Sequence, residues 1–257
     1  MTSPGLPPWE KLCEERNSGS LCCSFSVDGL ADLLVEQGEQ ILVRPYPDME
    51  AFSMRLFVLS VGMGALLQQR MIPVLHASSV ATAEGAVVFT GPTGCGKSLL
   101  AAAFHKRGFR VLTDDIAAIQ QSAVLPGTAG LRLWEDSLRA LEIDYSGLRP
   151  IRFGSQKYMV PLSTPYDPSP VGLKKVFLLA NSAEQLPAVS PLRGREKFEA
   201  LVSCIYCSDS VARMGIEGDY LAKIAEVASQ TEVAFLTRNP DPLRIDEVVD
   251  FVIRDLG

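Results

Sequence analysis

The segment Gly91-Pro-Thr-Gly-Cys-Gly-Lys97-Ser98 constrains this chain more than any other, because it fits G-x-x-x-x-G-K-[ST] without a gap. It follows Ala86-Val-Val-Phe-Thr90, a continuous apolar run with the length of a buried strand, and precedes Leu99–Lys106, which has helical character. A phosphate-binding loop needs that context. Its glycines let backbone N–H groups close around an anion with no Cβ in the way. Lys97 then brings positive charge to the β- and γ-phosphates, the Ser98 hydroxyl is placed to ligate Mg²⁺, and the helix N-terminus adds its dipole. Gly91, Pro92, Thr93, Gly94, Cys95, Gly96, Lys97 and Ser98 are therefore the expected nucleotide-binding set, with ATP and Mg²⁺ as the expected ligands.

Gly108 closes the helix and Arg110–Thr113 begins another strand, so that strand, loop, helix and strand make a βαβ unit. Asp114-Asp115 stands at the end of that strand, where the carboxyl ends of strands in open α/β sheets converge on the ligand. One carboxylate there can hold Mg²⁺ and a second can accept a proton from an incoming hydroxyl. A solvated turn or a helix cap is the plainer use of such a pair. His76, in Pro73-Val-Leu-His-Ala-Ser-Ser, lies just before the strand that feeds the loop. In that apolar setting it reads either as a satisfied core histidine or as part of the site. His105, beside Lys106 and Arg107, reads as surface. Arg132 is a candidate phosphate clamp, with Lys157, Arg193 and Arg195 as weaker ones; the ordinary alternative for each is a solvated surface charge.

Before this core, residues 1–70 read as a small β-rich module and a helix, and 71–257 as one mixed α/β core. Residues 1–20 look like a leader. Cys23–Val27 and Gln40–Val43 have strand character, with turn signals at Asp28-Gly29 and Gln37-Gly38. Asp48–Arg70 reads as one helix with Asp48 as its N-cap and Glu50 in its first turn. The longest apolar stretch, Leu56–Leu67, is about 12 residues with a serine and two glycines inside it, which predicts a buried helix and not a membrane span. Further along, Lys157–Leu162, Lys175–Ala180 and Glu232–Leu236 read as strands. Trp134–Leu141, Gly194–Tyr206, Asp219–Ser229 and Asp241–Leu256 read as helices, and Ser163–Pro170 as a Pro-rich loop.

Composition removes some functions. A net charge of −6 argues against a nucleic-acid binder, which needs a basic face for the phosphate backbone. Met1–Glu10 has no apolar core of a secretion signal, and six cysteines in a chain able to build a full core read as reduced thiols, so the expected compartment is the cytoplasm. Cys204-Ile-Tyr-Cys207 has the spacing of zinc ligands, but a structural site needs four, and the remaining cysteines and two histidines make awkward partners.

His76, the glycine-rich loop and Lys106-Arg-Gly-Phe-Arg-Val-Leu-Thr-Asp-Asp115 together resemble the catalytic domain of the HPr kinase/phosphorylase family in order and spacing. The resemblance implies a phosphoenolpyruvate-carboxykinase-like P-loop core, with a mixed sheet and flanking helices, that phosphorylates a serine hydroxyl. It further implies Asp114 as base, Asp115 with Ser98 as metal ligands, His76 and Lys97 in the catalytic site, and self-association. The family's E-I-R-G signature is met here by Gly130-Leu-Arg132-Leu-Trp, which keeps the arginine and has no acid. The N-terminal part does not resemble the family's large regulatory domain. The pattern is closer to shorter, stand-alone relatives, which include kinases of lasso-type peptide precursors. The expected function is thus an ATP-dependent serine kinase acting on a protein or peptide, as a homo-oligomer without nucleic-acid or membrane partners. A nucleotide-binding regulator without transfer activity and a small-molecule kinase are the alternatives.

Overall fold

The computed structural model describes residues 21–127, 130–163, 165–183 and 186–257; the leader expected over residues 1–20 lies outside them, as do Cys13 and Thr164 of the Pro-rich loop. The chain divides into two compact units, one comprising residues up to 72 together with 207–220, the other 73–206 with 221–257.

In the first unit β1 (Cys22–Val27), β2 (Ala31–Glu36) and β3 (Gln40–Pro45) form an antiparallel meander, with Val27 opposite Ala31 and Glu36 opposite Gln40 across the two turns. The sequence reading left β2 out, because Ala-Asp-Leu-Leu-Val-Glu has no strict alternation. The reason is that this central strand is buried on both faces. One face, Ala31 and Leu33, meets Phe57 of the helix α1 (Ala51–Gln69), while Val35 meets Ala65 and Leu66. On the other face Asp32 accepts from Arg44 Nη2 at 2.6 Å and from Tyr46 Oη at 2.9 Å.

The N-cap of α1 is Glu50, not the expected Asp48: its carboxylate accepts from the N–H groups of Phe52 at 3.2 Å and Ser53 at 2.7 Å. A π-turn over Val58–Gly62 interrupts the helix, and there Ser60 Oγ donates to the Leu56 carbonyl. At 19 residues α1 lies within the span expected from Asp48 to Arg70, and it is long and apolar enough to cross a membrane by length and composition; half of that window is buried in the protein. Gln69 ends it by bonding the Gly38 N–H at 2.7 Å and the Val35 carbonyl at 3.0 Å. A short helix not expected from the sequence, Ser208–Arg213, joins this unit through Ser210 Oγ on Gln68 and the Arg213 guanidinium over the Phe25 ring.

The second unit holds β4 (Val74–Thr82), β5 (Gly85–Thr90), β6 (Arg110–Thr113), β7 (Ile116–Gln120), β8 (Ala123–Val124), β9 (Gly130–Trp134), β10 (Arg149–Pro150), β11 (Lys157–Pro161), β12 (Val171–Asn181), β13 (Ala188–Pro191) and β14 (Glu232–Arg238). Its main sheet is mixed, in the order β13-β14-β12-β5-β4-β7-β8, with β6 also on β4. β14, β12 and β5 are parallel, and β4 is antiparallel to β5. β4 is antiparallel to β6 as well, so the unit β5, α2 (Lys97–Lys106), β6 is a crossover between parallel strands with β4 between them. α2 buries Leu99 to Phe104 without interruption, and its Phe104 ring lies 5.5 Å from that of Phe89, which stacks on Phe177 at 6.1 Å. The three alanines in its middle favour helix and let the backbone approach the sheet.

Two details position the site. His76 lies ahead of β5, the strand that feeds the loop, within β4, and pairs with Ile116 of β7. The strand Arg110–Thr113 ends at the acidic pair, and β7 takes up the same neighbour beyond it, with Ser79 facing Thr113 and His76 facing Ile116. Asp114-Asp115 fills the gap between them, and Asp115 takes the left-handed φ of 79°. An interruption of this kind re-aims side chains that a regular strand would send to alternate faces.

Candidate active site

The loop from Gly91 to Ser98 closes on itself. Cys95 N–H donates to the Pro92 carbonyl at 3.2 Å, and Lys97 Nζ reaches back to the carbonyls of Gly91 at 2.8 Å and Pro92 at 3.0 Å. Gly96 caps α2 in a left-handed conformation, φ 95°, that a side chain would strain. The result is a cavity of about 310 Å³ with Gly94, Lys97 and Ser98 on its lining.

Facing the loop is the acidic pair, and its two members have different surroundings. Asp114 is 4% exposed and fully bonded: Oδ1 accepts from Ser78 Oγ at 2.6 Å and Ser98 Oγ at 2.7 Å, and Oδ2 from the Arg132 N–H at 2.7 Å. Asp115 has one ion pair, Arg132 Nη1 on Oδ2 at 2.8 Å, while its Oδ1 lies 3.6 Å from His76 Nδ1. His76 Nδ1 also sits 3.2 Å from the Asp115 carbonyl, so the neutral imidazole can donate there. Burial, and then the Lys97 charge, hold that imidazole below the usual histidine range, against the pull of Asp115.

A small sheet, β10-β11-β9, supplies the opposite wall. Strand alternation sends Leu131 and Leu133 into the core and leaves Arg132 and Trp134 on the other face, where Lys157 is the cross-strand partner of Trp134. The Lys157 ammonium lies 5.8 Å from the indole centre. Burial pulls it below the ordinary lysine range, opposed by the charges of Asp114 and Asp115.

No protein-family model matches this chain, and no curated protein matches it. Among solved structures it has a distant likeness to the HPr(Ser) kinase/phosphatase from Coxiella burnetii, at 12% identity and a TM-score of 0.33, over 72% of this chain and 99% of that one.

Of the residues singled out in the sequence, the cavity gathers His76, Thr93, Gly94, Gly96, Lys97, Ser98, both aspartates, Arg132 and Lys157. Gly91, Pro92 and Cys95 contribute through the backbone of the loop, and burial raises the Cys95 thiol, which keeps it protonated. Arg193 and Arg195 are exposed and do not line the cavity; Arg195 pairs with Glu199 at 2.6 Å. His105 lies away from it, with Nε2 3.1 Å from Ser163 Oγ. Cys204 is buried and Cys207 exposed, and among the described residues no group of three or more His, Cys, Asp or Glu could hold a metal.

Three residues were missed. Ser78 gives no local signal, since only the pairing of β4 with β6 sets it against Asp114. Trp134, half exposed on the lining, was read as the start of a helix. Arg238 did leave a signal: it closes the apolar run Val-Ala-Phe-Leu, at the carboxyl end of a strand parallel to β12 and so on the side where β5 delivers the loop.

Proposed function

We propose that this chain is an ATP-dependent kinase that transfers the γ-phosphoryl of ATP to a serine hydroxyl of a protein or peptide. The observation that carries this reading is the 2.7 Å hydrogen bond from Ser98 Oγ to Asp114 Oδ1, which ties the end of the phosphate loop to a buried carboxylate on the strand after its helix. A glycine turn with an incidental lysine has no use for such a bond. Lys97 and the loop amides cradle the β- and γ-phosphates, and the charged wall of Arg132 and Lys157 faces them.

Ser98 and Asp114 are the residues that would hold Mg²⁺. A hydroxyl and one carboxylate are few ligands, which suits an ion that keeps waters and completes its shell with phosphate oxygens. When bound, Mg²⁺ neutralises charge on the transferring phosphoryl group.

The hydrogen bonds support exchanging the roles of the two aspartates. Asp114 already accepts three bonds and is linked to Ser98, which fits a carboxylate on the metal side. Asp115 keeps an oxygen without a close donor, 3.6 Å from the His76 ring, which fits the base. In the reaction the acceptor serine oxygen bonds to the γ-phosphorus as the bond to the β-bridging oxygen breaks. The hydroxyl proton passes to Asp115, and ADP leaves with the bridging electron pair. His76, neutral, orients Asp115 through its backbone carbonyl.

A regulator that binds nucleotide without transfer is favoured by one feature, the Arg132–Asp115 ion pair at 2.8 Å, which occupies the other oxygen of the proposed base. The test is γ-labelled ATP and Mg²⁺ with a lysate of the host organism, using wild type, Asp114→Asn and Asp115→Asn. The kinase reading expects one discrete labelled species with wild type and none with either variant. It also expects Asp115→Asn to keep Mg²⁺-dependent ATP binding and Asp114→Asn to lose the Mg²⁺ dependence. Tight ATP binding by wild type with no labelled species gives the regulator reading precedence.

A further inference from the structure

Arg238 is 2% exposed at the end of β14 and lies on the lining of the same cavity. Its Nη2 donates to the Cys95 carbonyl at 2.6 Å and its Nη1 to the Asn239 carbonyl at 3.0 Å, while Nε has no partner. No carboxylate pairs with it among the described residues. A buried guanidinium held only by neutral carbonyls is a charge out of water without its counter-ion, which folded proteins rarely tolerate.

Two other buried cations in this unit show what the exception means. Lys175, 7% exposed, is neutralised by Asp255 at 2.8 Å and Glu232 at 3.4 Å. Lys97, also 7% exposed, instead rests on the carbonyls of Gly91 and Pro92, the arrangement of a lysine whose counter-ion is a bound phosphate. Arg238 follows the pattern of Lys97, on the same loop. The approach is close: a Cβ on Gly96 would stand 2.1 Å from Arg238 Nη2.

We infer that Arg238 is a second phosphate-binding cation of the loop, whose free Nε–H takes an oxygen of the polyphosphate of the nucleoside triphosphate seated on Cys95–Ser98. This rests on the nucleotide-binding reading above and deepens it. Arginine remains charged under such burial, so the site carries a fixed positive charge that selects polyphosphates over nucleosides.

The test is isothermal titration of the full chain with ATP, ADP and inorganic tripolyphosphate, comparing wild type with Arg238→Met, Arg238→Gln and Arg238→Lys. Arg238→Met should weaken all three ligands by roughly 10- to 100-fold, the loss of one charged hydrogen bond. Arg238→Gln keeps a neutral donor for the Cys95 carbonyl and should be as weak as Met, while Lys recovers part of the affinity. Without ligand, the melting temperature of Arg238→Met should be no lower than that of wild type, and tripolyphosphate should raise it less. Full recovery by Gln would reduce Arg238 to a brace for the loop backbone and overturn the inference, as would unchanged affinity in Met. Gln and Lys carry the comparison if Met does not fold. Wild type that fails to bind ATP overturns the nucleotide reading itself.

Discussion

Gly94 and Gly96 offer a matched test of how the loop is held. Both have positive φ, 82° and 95°, but a Cβ at 94 meets nothing within 4 Å, whereas one at 96 meets Arg238 Nη2 at 2.1 Å. Alanine at either position forces a left-handed backbone, which costs roughly 1–2 kcal/mol. Only Gly96→Ala also displaces the guanidinium and breaks its 2.6 Å bond to the Cys95 carbonyl. Losing a hydrogen bond to a charged, buried group adds about 1.5–3 kcal/mol. The expected losses of stability are therefore about 1–2 kcal/mol for Gly94→Ala and about 2.5–5 kcal/mol for Gly96→Ala. Urea unfolding followed by far-UV circular dichroism, without nucleotide, measures both. Because the extra cost at 96 sits in one contact, Gly96→Ala should lose about 2 kcal/mol of its penalty when combined with Arg238→Met. Equal destabilisation by the two alanines, or simple additivity in the double variant, would refute the reasoning.

Asp114→Ala strands three donors, the buried Ser78 hydroxyl and the part-buried Ser98 hydroxyl and Arg132 N–H, and should cost about 2–3 kcal/mol, against about 1 kcal/mol for Asp115→Ala; thermal unfolding separates the two. In the first unit, burial would raise the Asp32 carboxyl, but hydrogen bonds from Ser26, Arg44 and Tyr46 outweigh it and hold the group below its ordinary value. The folded state thus resists protonation, so this stabilisation is complete above about pH 4 and disappears as pH falls through the folded value. Unfolding midpoints between pH 2 and 5 should show a shallower acid loss in Asp32→Asn than in wild type. Around Lys175 on the interior strand β12 of the main sheet, Asp255→Ala should destabilise more than Lys175→Met. The first leaves a buried ammonium with only Glu232 at 3.4 Å, and the second leaves carboxylates that reach water. Equal chemical-denaturation midpoints would contradict that asymmetry.

The glycine-rich loop, the strand before it, the helix after it and the acidic pair were legible in the sequence, because each is made by consecutive residues. A loop that wraps an anion with its own backbone needs its glycines, lysine and serine at fixed local spacing, and the apolar run of β5 can be read as buried without knowing its neighbours. Cap identity was less legible: Asp48 and Glu50 are both plausible beside an apolar helix, and only the bonds to Phe52 and Ser53 choose between them. Other parts were decided by strands far apart in the chain. Ser78 meets Asp114 because β4 pairs with β6, and Arg132 reaches both aspartates because β9 brings its backbone and side chain to opposite carboxylates. Arg238 reaches Cys95 across 143 positions of sequence. The amino-acid order alone determines where the glycine-rich loop turns, since that geometry is local. Which charges surround the loop depends on which strand ends the sheet brings together, and burial then makes each of those charges need a partner.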